Sequence, residues 1–268
     1  MNRVLRTIER ICFLTIVFFS IILAYAMFIE PNFLFRTTTI VWHTGLNVDY
    51  NIVLISDVHL GMPHLGQRTK ILMSLIREDH PNLIIVAGDL SDSMTTNDKA
   101  VAYLEALAKI APVVFVYGNH DFNAGFANPR YVRPLEEHGV HVLMNQWYIV
   151  DDNGTKICIY GLNYEVPKRP KVPKGCSIVI SVIHDPEHVF YVVNESDLVL
   201  AGHTHGGQVR LPFLPPLYLP MAKKYWKYYY GLYKIDGHYL YVTEGVGESL
   251  APIRFLCPPE VVKIELVK

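Results

Sequence analysis

Five short apolar runs, each stopping abruptly at Asp, Asn or His, constrain this chain more than any other feature. "IVLIS" runs into Asp57-Val58-His59, and "LIIVA" into Gly88-Asp89. "VVFVY" runs into Gly118-Asn119-His120-Asp121, "IVISVI" into His184-Asp185, and "LVLA" into Gly202-His203-Thr204-His205. Runs this short, rich in Val and Ile and bounded by polar residues, read as strands buried on both faces. "KICIYGL" has the same form. Between the strands lie helical periods. Ile71, Leu72, Leu75 and Ile76 share one face between Thr69 and Asp79, and Val101, Leu104, Leu107 and Ala108 repeat the arrangement. Strands alternating with helices imply an α/β fold with partly parallel sheets. Toward the end, "GLYKID", "HYLYVTEG" and "EVVKIELV" read as antiparallel strands, the first two joined by an Asp236-Gly237 turn. A second Asn-Gly turn in "DDNGTK", Asp151 to Lys156, accounts for the sequon there.

In open α/β sheets, ligands bind at the carboxyl ends of the strands, so the pattern places all five polar clusters on one rim. Asp, Asn and His without thiolate suit manganese, iron or zinc, and their number exceeds what a single zinc ion needs. Each cluster alone has an ordinary explanation: Gly-Asp is a common turn, Asn-His-Asp a helix cap, and His184 before Asp185-Pro186 a turn residue. Five of them in order at strand ends are best explained together, as a two-metal centre. Gly88, Gly118 and Gly202 each precede a candidate ligand where the backbone turns tightly. If His203 and His205 lie on an extended strand end, skipping Thr204 aims both rings the same way.

The ordered set "DVH", "GD", "GNHD", a lone His after a strand and "GHTH" resembles the calcineurin-like metallophosphoesterases. "EP" after the N-terminal apolar segment, "GHTHGGQVRLP" and the tail "EGVGESLAPIRFLCPPE" are similar to the YkuE-like membrane-associated subgroup. The resemblance implies an α/β sandwich of two mixed β-sheets flanked by helices and an enzyme that hydrolyses a phosphodiester or pyrophosphate with two divalent metal ions (Mn, Fe or Zn). It assigns Asp57, His59 and His205 to one metal, Asn119, His184 and His203 to the other, and Asp89 to both. His120 would meet the substrate phosphate as proton donor, with Asp121 orienting its ring. Some relatives of the subgroup hydrolyse the pyrophosphate of UDP-2,3-diacylglucosamine in lipid A synthesis, which is a sharper alternative. A non-catalytic metal-binding scaffold is another, though it would need neither His120 nor Asp121.

Membrane attachment follows from the first 29 residues. Arg3, Arg6 and Arg10 precede 19 uncharged residues, Ile11 to Ile29. At about 1.5 Å per residue they span a hydrocarbon core of about 30 Å. The expected organisation is a cytoplasmic N-terminus (1–10), a transmembrane anchor or uncleaved signal (11–29), a linker and edge strand (30–50) and a metallophosphoesterase domain (51–268). Positive charge before the span puts that domain outside the cytoplasm, as a single-pass protein of the cell membrane. Ala24-Tyr25-Ala26 also has the form of a signal cleavage site. A net charge of −1 gives no broad basic field, so no nucleic acid partner is expected, and the substrate is expected to be phosphorylated and either of the cell envelope or lipid-linked. Cys158, Cys176 and Cys257 read as buried thiols, with one disulfide of unspecified pairing left open. Leu211 to Tyr230, rich in Pro, aromatics and Lys, reads equally as an interfacial loop or as packing over the last sheet. Arg68, Arg130 and Arg133 are candidates for a second phosphate, with solvated helix-surface arginines as the alternative.

Overall fold

The apolar runs pair into two sheets of six strands, as the computed structural model of the chain shows for residues 3–33, 35–43, 49–62, 65–93, 95, 97–152, 154–216 and 218–268. The strands are β1 (Arg36–His43), β2 (Tyr50–Ile55), β3 (Leu83–Ala87), β4 (Val113–Val116), β5 (Val140–Val142) and β6 (Gln146–Asp152). They continue as β7 (Thr155–Gly161), β8 (Ile178–Val182), β9 (Leu198–Ala201), β10 (Gly231–Ile235), β11 (His238–Val242) and β12 (Glu260–Val267). The first sheet runs β1-β12-β2-β3-β4-β5 and the second β10-β11-β9-β8-β7-β6. Each has a parallel centre; the first has one antiparallel junction, β12 with β2, and the second has two that flank its centre, β10 with β11 and β6 with β7. This is the expected sandwich of two mixed sheets.

Burial on both faces explains why the strands read as continuous apolar runs. Alternate residues of β2 and β3, Ile52, Leu54, Leu83 and Ile85, pack between the sheets against Ile157, Ile159, Ile180 and Leu200. Their neighbours Val53, Ile55, Ile84 and Val86 point outward under the helices Leu65–Glu78 and Asn97–Ala108, against Leu72, Ile76, Leu104 and Leu107. Fully burying such a side chain contributes about 1.5–3 kcal/mol, so both layers hold the sheet centres in place.

One expectation about connectivity changes, and one left open is resolved. "EVVKIELV" does not join the other late strands: it is β12, inserted in the first sheet parallel to β1 and antiparallel to β2. Arg36–His43 is the expected edge strand, reached by this long-range pairing. Cys158 and Cys176 are joined as a disulfide rather than being free thiols, while Cys257 is a buried free thiol. The β6–β7 turn forms as read, with Asp152 paired to Thr155; Asn153 lies outside the described residues. At the N-terminus a helix runs from Arg3 to Phe33, long and apolar enough to cross a membrane.

Candidate metal centre

All five clusters converge at the carboxyl ends of β2, β3, β4, β8 and β9. They do so through tight loops rather than extended strand ends. Asp57, His59, Asp89, His203 and His205 all have positive φ, between 48° and 72°. Such conformations cost roughly 1–3 kcal/mol each in non-glycine residues and persist only where the surroundings over-determine them. The alternation expected at His203-Thr204-His205 is corrected accordingly: a left-handed, right-handed, left-handed sequence of backbone aims the two rings. Two glycines are explained by crowding. A Cβ on Gly118 would lie 2.2 Å from Asp89 Oδ1, and one on Gly202 would lie 2.0 Å from Ser56 Oγ.

The buried side chains form two groups, Asp57-His59-His205 and Asp89-His184-His203, and within each the candidate ligand atoms lie within 4.8 Å of one another. Asn119 joins the second, its Oδ1 3.2 Å from His184 Nε2. Asp89 connects the two. Its Oδ2 is 3.1 Å from His184 Nε2 and 3.9 Å from His59 Nε2, while its Oδ1 accepts from the His120 backbone N–H at 2.8 Å.

The outward ring nitrogens reveal how the imidazoles are held. His184 Nδ1 donates to the Ala87 carbonyl (2.9 Å), His205 Nδ1 to the Gly247 carbonyl (3.2 Å) and His203 Nε2 to the Pro220 carbonyl (2.9 Å). A carbonyl only accepts, so each outward nitrogen carries the proton and each inward one presents a lone pair. Inward nitrogens then face each other closely: His59 Nε2 to His205 Nε2 at 3.2 Å, and His184 Nε2 to His203 Nδ1 at 3.1 Å. Lone pairs that converge in this way, beside buried carboxylates, fit divalent cations of the manganese, iron or zinc type.

The electrostatics agree. Burial pushes His205 down to about 3, leaving it neutral, the form in which imidazole ligates. His184 differs: burial opposes its charge, yet the adjacent Asp89 outweighs it and lifts the ring to about 10, so a second proton on Nε2 holds the place beside Asp89 that a cation would take by displacing it. For Asp89, burial alone would raise the carboxyl, but His184 and His59 hold it below the usual carboxylate range. Positive charge is therefore most strongly favoured between Asp89 and His184.

His120 is half-buried at the mouth of the centre, edge-on to His59 with ring centroids 4.8 Å apart. Asp121 departs from its expected position. Its carboxylate accepts the backbone N–H groups of Ser91 (2.7 Å), Asp89 (2.9 Å) and Gly118 (2.9 Å), so it clamps the β3 and β4 loops instead of gripping the His120 ring. Burial, then the charge of Asp89, raises it to about 7 against the pull of the Gly118 and Ser91 hydrogen bonds. The candidate arginines also resolve. Arg68 is fully buried against Glu248 at 2.7 Å, so it is neither a solvated side chain nor a phosphate ligand. Arg130 stacks on Tyr131, and Arg133 pairs with Glu137 at the surface.

The family described as calcineurin-like phosphoesterase matches residues 50–207, which span the whole set of ligand candidates. The chain belongs to the calcineurin-like phosphoesterases. Relatives extend the likeness past the matched region. The uncharacterized metallophosphoesterase YkuE of Bacillus subtilis (strain 168) is 31% identical over 256 residues, covering 88% of this chain and 87% of its own. Phosphodiesterase YaeI of Escherichia coli (strain K12) is 30% identical over 225 residues, covering 81% and 82%. A Danio rerio "transmembrane protein with metallophosphoesterase domain" is 29% identical over 241 residues, covering 80% of this chain and 52% of that protein. This calcineurin-like phosphoesterase is accordingly a metal-dependent hydrolase, and its two His/Asp groups could each hold a metal ion, as a dinuclear centre requires.

Sequence reasoning missed what stands behind the ligands. Arg254 is fully buried and donates to the carbonyls of Gly247, Glu244, Gly245 and Cys257. Because the Gly247 carbonyl also receives the His205 ring proton, this arginine supports the first group from the tail. The tail motif was visible in the sequence as a subgroup likeness, but nothing in it marked Arg254 as buried.

Proposed function

We propose that the protein is a membrane-anchored phosphodiesterase or pyrophosphatase whose domain lies outside the cytoplasm and acts on a phosphorylated substrate of the cell envelope. The observation that carries the reading is Asp89 Oδ2 lying between the two ligand groups. Asp57, His59 and His205 would hold one divalent cation and Asn119, His184 and His203 the other, with Asp89, placed between the two groups, available to either. When bound, the pair of cations supplies hydroxide near neutral pH and neutralises charge on the phosphoryl oxygens. His120, at the open mouth, donates a proton to the leaving oxygen, a contribution of about 10²–10⁴-fold. Asp121 keeps Asp89 and the His120 backbone in register. Support for diester chemistry comes from the relative YaeI, which is named a phosphodiesterase.

The Cys158–Cys176 disulfide favours an oxidising compartment and therefore an external domain. It counts against hydrolysis of UDP-2,3-diacylglucosamine, a cytoplasmic substrate. An uncleaved anchor is supported by Ala26, which is buried, accepts a hydrogen bond from the Arg254 backbone N–H and would be removed by a cut after it. The purified full chain should hydrolyse bis(p-nitrophenyl) phosphate with added manganese and lose that activity on chelation. Inactivity across manganese, iron and zinc, on both this diester and a pyrophosphate, would contradict the reading and favour the scaffold.

A further inference from the structure

The N-terminal helix is joined to the same loops that wall the metal centre. The Ala26 carbonyl accepts from the Arg254 backbone N–H at 2.9 Å, and the buried Glu30 carboxylate accepts from the N–H groups of Leu256 (2.9 Å) and Cys257 (2.5 Å). The Tyr25 ring meets Phe255 edge-on, with centroids 6.3 Å apart. Ala26 and Tyr25 belong to the uncharged 19-residue stretch, while Phe28, Ile29 and Phe33 on the other face of the helix stay exposed. These bonds tie the end of the span directly to the domain. A bilayer that covers the helix down to its last apolar turns therefore brings residues 250–257 to the membrane surface.

What those loops present there is apolar. Leu250 is 89% exposed, Phe213 fully exposed, and Leu214, Tyr218 and Leu256 are exposed as well. The two loops are tied together by Arg210 N–H to the Phe255 carbonyl (2.9 Å) and Phe255 N–H to the Gln208 carbonyl (3.1 Å). Phe213, Leu250 and Leu256 also hold left-handed backbone, with φ of 66°, 58° and 53°. A bulky residue pays for that conformation, and Phe213 and Leu250 recover almost no burial within the chain. The second half of Leu211 to Tyr230 behaves differently, since Tyr228 is buried in the outer core of the second sheet and Tyr225 packs against it. Exposed Lys223, Lys224 and Lys227 follow the apolar tip and match anionic headgroups. Between the tip and the centre lies a largely apolar cleft of about 380 Å³, bordered by His120, His205, Val209, Tyr218, Leu250 and Ala251.

We infer that Phe213, Leu214 and Leu256 insert into the lipid surface beside the anchor, and that the cleft receives the apolar part of a membrane-resident phosphodiester while its phosphate reaches the metal centre. The inference rests on the phosphodiesterase reading and names its substrate class as an amphiphile presented by the bilayer. Apolar groups of this size at a membrane interface hold a rim against the surface, and a tethered domain needs only a few.

The test uses the full chain in vesicles of phosphatidylcholine with phosphatidylglycerol. Two substrates are followed together: water-soluble bis(p-nitrophenyl) phosphate and a fluorogenic phosphodiester bearing two alkyl chains, held in the same bilayer. In the Phe213→Asp/Leu214→Asp variant, turnover of the bilayer substrate should fall about tenfold or more while that of the soluble diester is unchanged. Asp tolerates left-handed backbone, so the variant keeps its fold. Equal rates for variant and parent on the bilayer substrate, or parallel loss on both, would overturn the inference. Hydrolysis of the soluble diester alone by the parent would also overturn it while leaving the enzyme reading intact; hydrolysis of neither would overturn that reading. Independently of activity, a fluorophore on Phe213→Cys in a Cys12→Ala chain should be quenched by nitroxide-bearing lipids. Absence of quenching, or self-quenching between labelled copies that marks a protein–protein surface, would overturn the membrane assignment.

Discussion

Two regions of this molecule hold bulky side chains on left-handed backbone, and they differ in what surrounds them. At the metal centre, Asp57, His59, Asp89, His203 and His205 are buried and face one another. On the rim beside the anchor, Phe213, Leu250 and Leu256 face outward. At the centre, convergence of lone pairs and carboxylates gives cations a place that offsets the backbone cost. At the rim Leu256 is held by Glu30 and Arg210, whereas Phe213 and Leu250 are left facing outward, and it is their exposure that the proposed bilayer contact would cover. The same local conformation thus marks a ligand site in one place and a contact surface in the other, with burial distinguishing them.

The sharpest way to break the comparison is at Asp89. Asp89→Ala should abolish loading of both metals and lower turnover by more than about 10³-fold, measured by metal content and diester hydrolysis. His120→Ala should leave metal content intact and reduce turnover by about 10²–10⁴-fold, since its ring sits at the mouth and outside the two groups. Arg254→Ala links the two regions. It strips partners from the Gly247, Gly245, Glu244 and Cys257 carbonyls and should cost about 3 kcal/mol or more in chemical denaturation. Because Gly247 also holds His205, metal affinity should weaken by about tenfold, measured by competition with a chelator. Glu30→Gln, which replaces a carboxylate that accepts two backbone N–H groups, should cost about 1–2 kcal/mol and leave soluble-diester turnover unchanged.

The centre was legible because parallel strands buried on both faces become apolar runs, against which Asp57, Asp89, Asn119, His184 and His203 stand out at the strand ends. Strand-end position picked out the candidate ligands without giving their geometry, because whether His203 and His205 are extended or left-handed changes no residue identity. The carbonyl partners at Ala87, Pro220 and Gly247 were invisible for a related reason, since every residue has a carbonyl. Long-range pairings were equally hidden: Arg68 with Glu248, β12 between β1 and β2, and Cys158 with Cys176 each join segments whose local sequence suits other partners. Asp121 holds the β3 and β4 loops rather than the His120 ring, because a carboxylate beside a histidine in sequence serves a ring or a loop equally well. The loop from Leu211 to Tyr230 divided between its two readings, with Phe213 and Leu214 exposed and Tyr228 buried.

Metal stoichiometry tests the two-group centre most directly. Titrating the full chain with manganese, with bound metal counted by elemental analysis, should give two ions per chain in the parent and fewer than one in Asp89→Ala. A single ion in the parent, or two ions retained in Asp89→Ala, would contradict a centre built around that carboxylate.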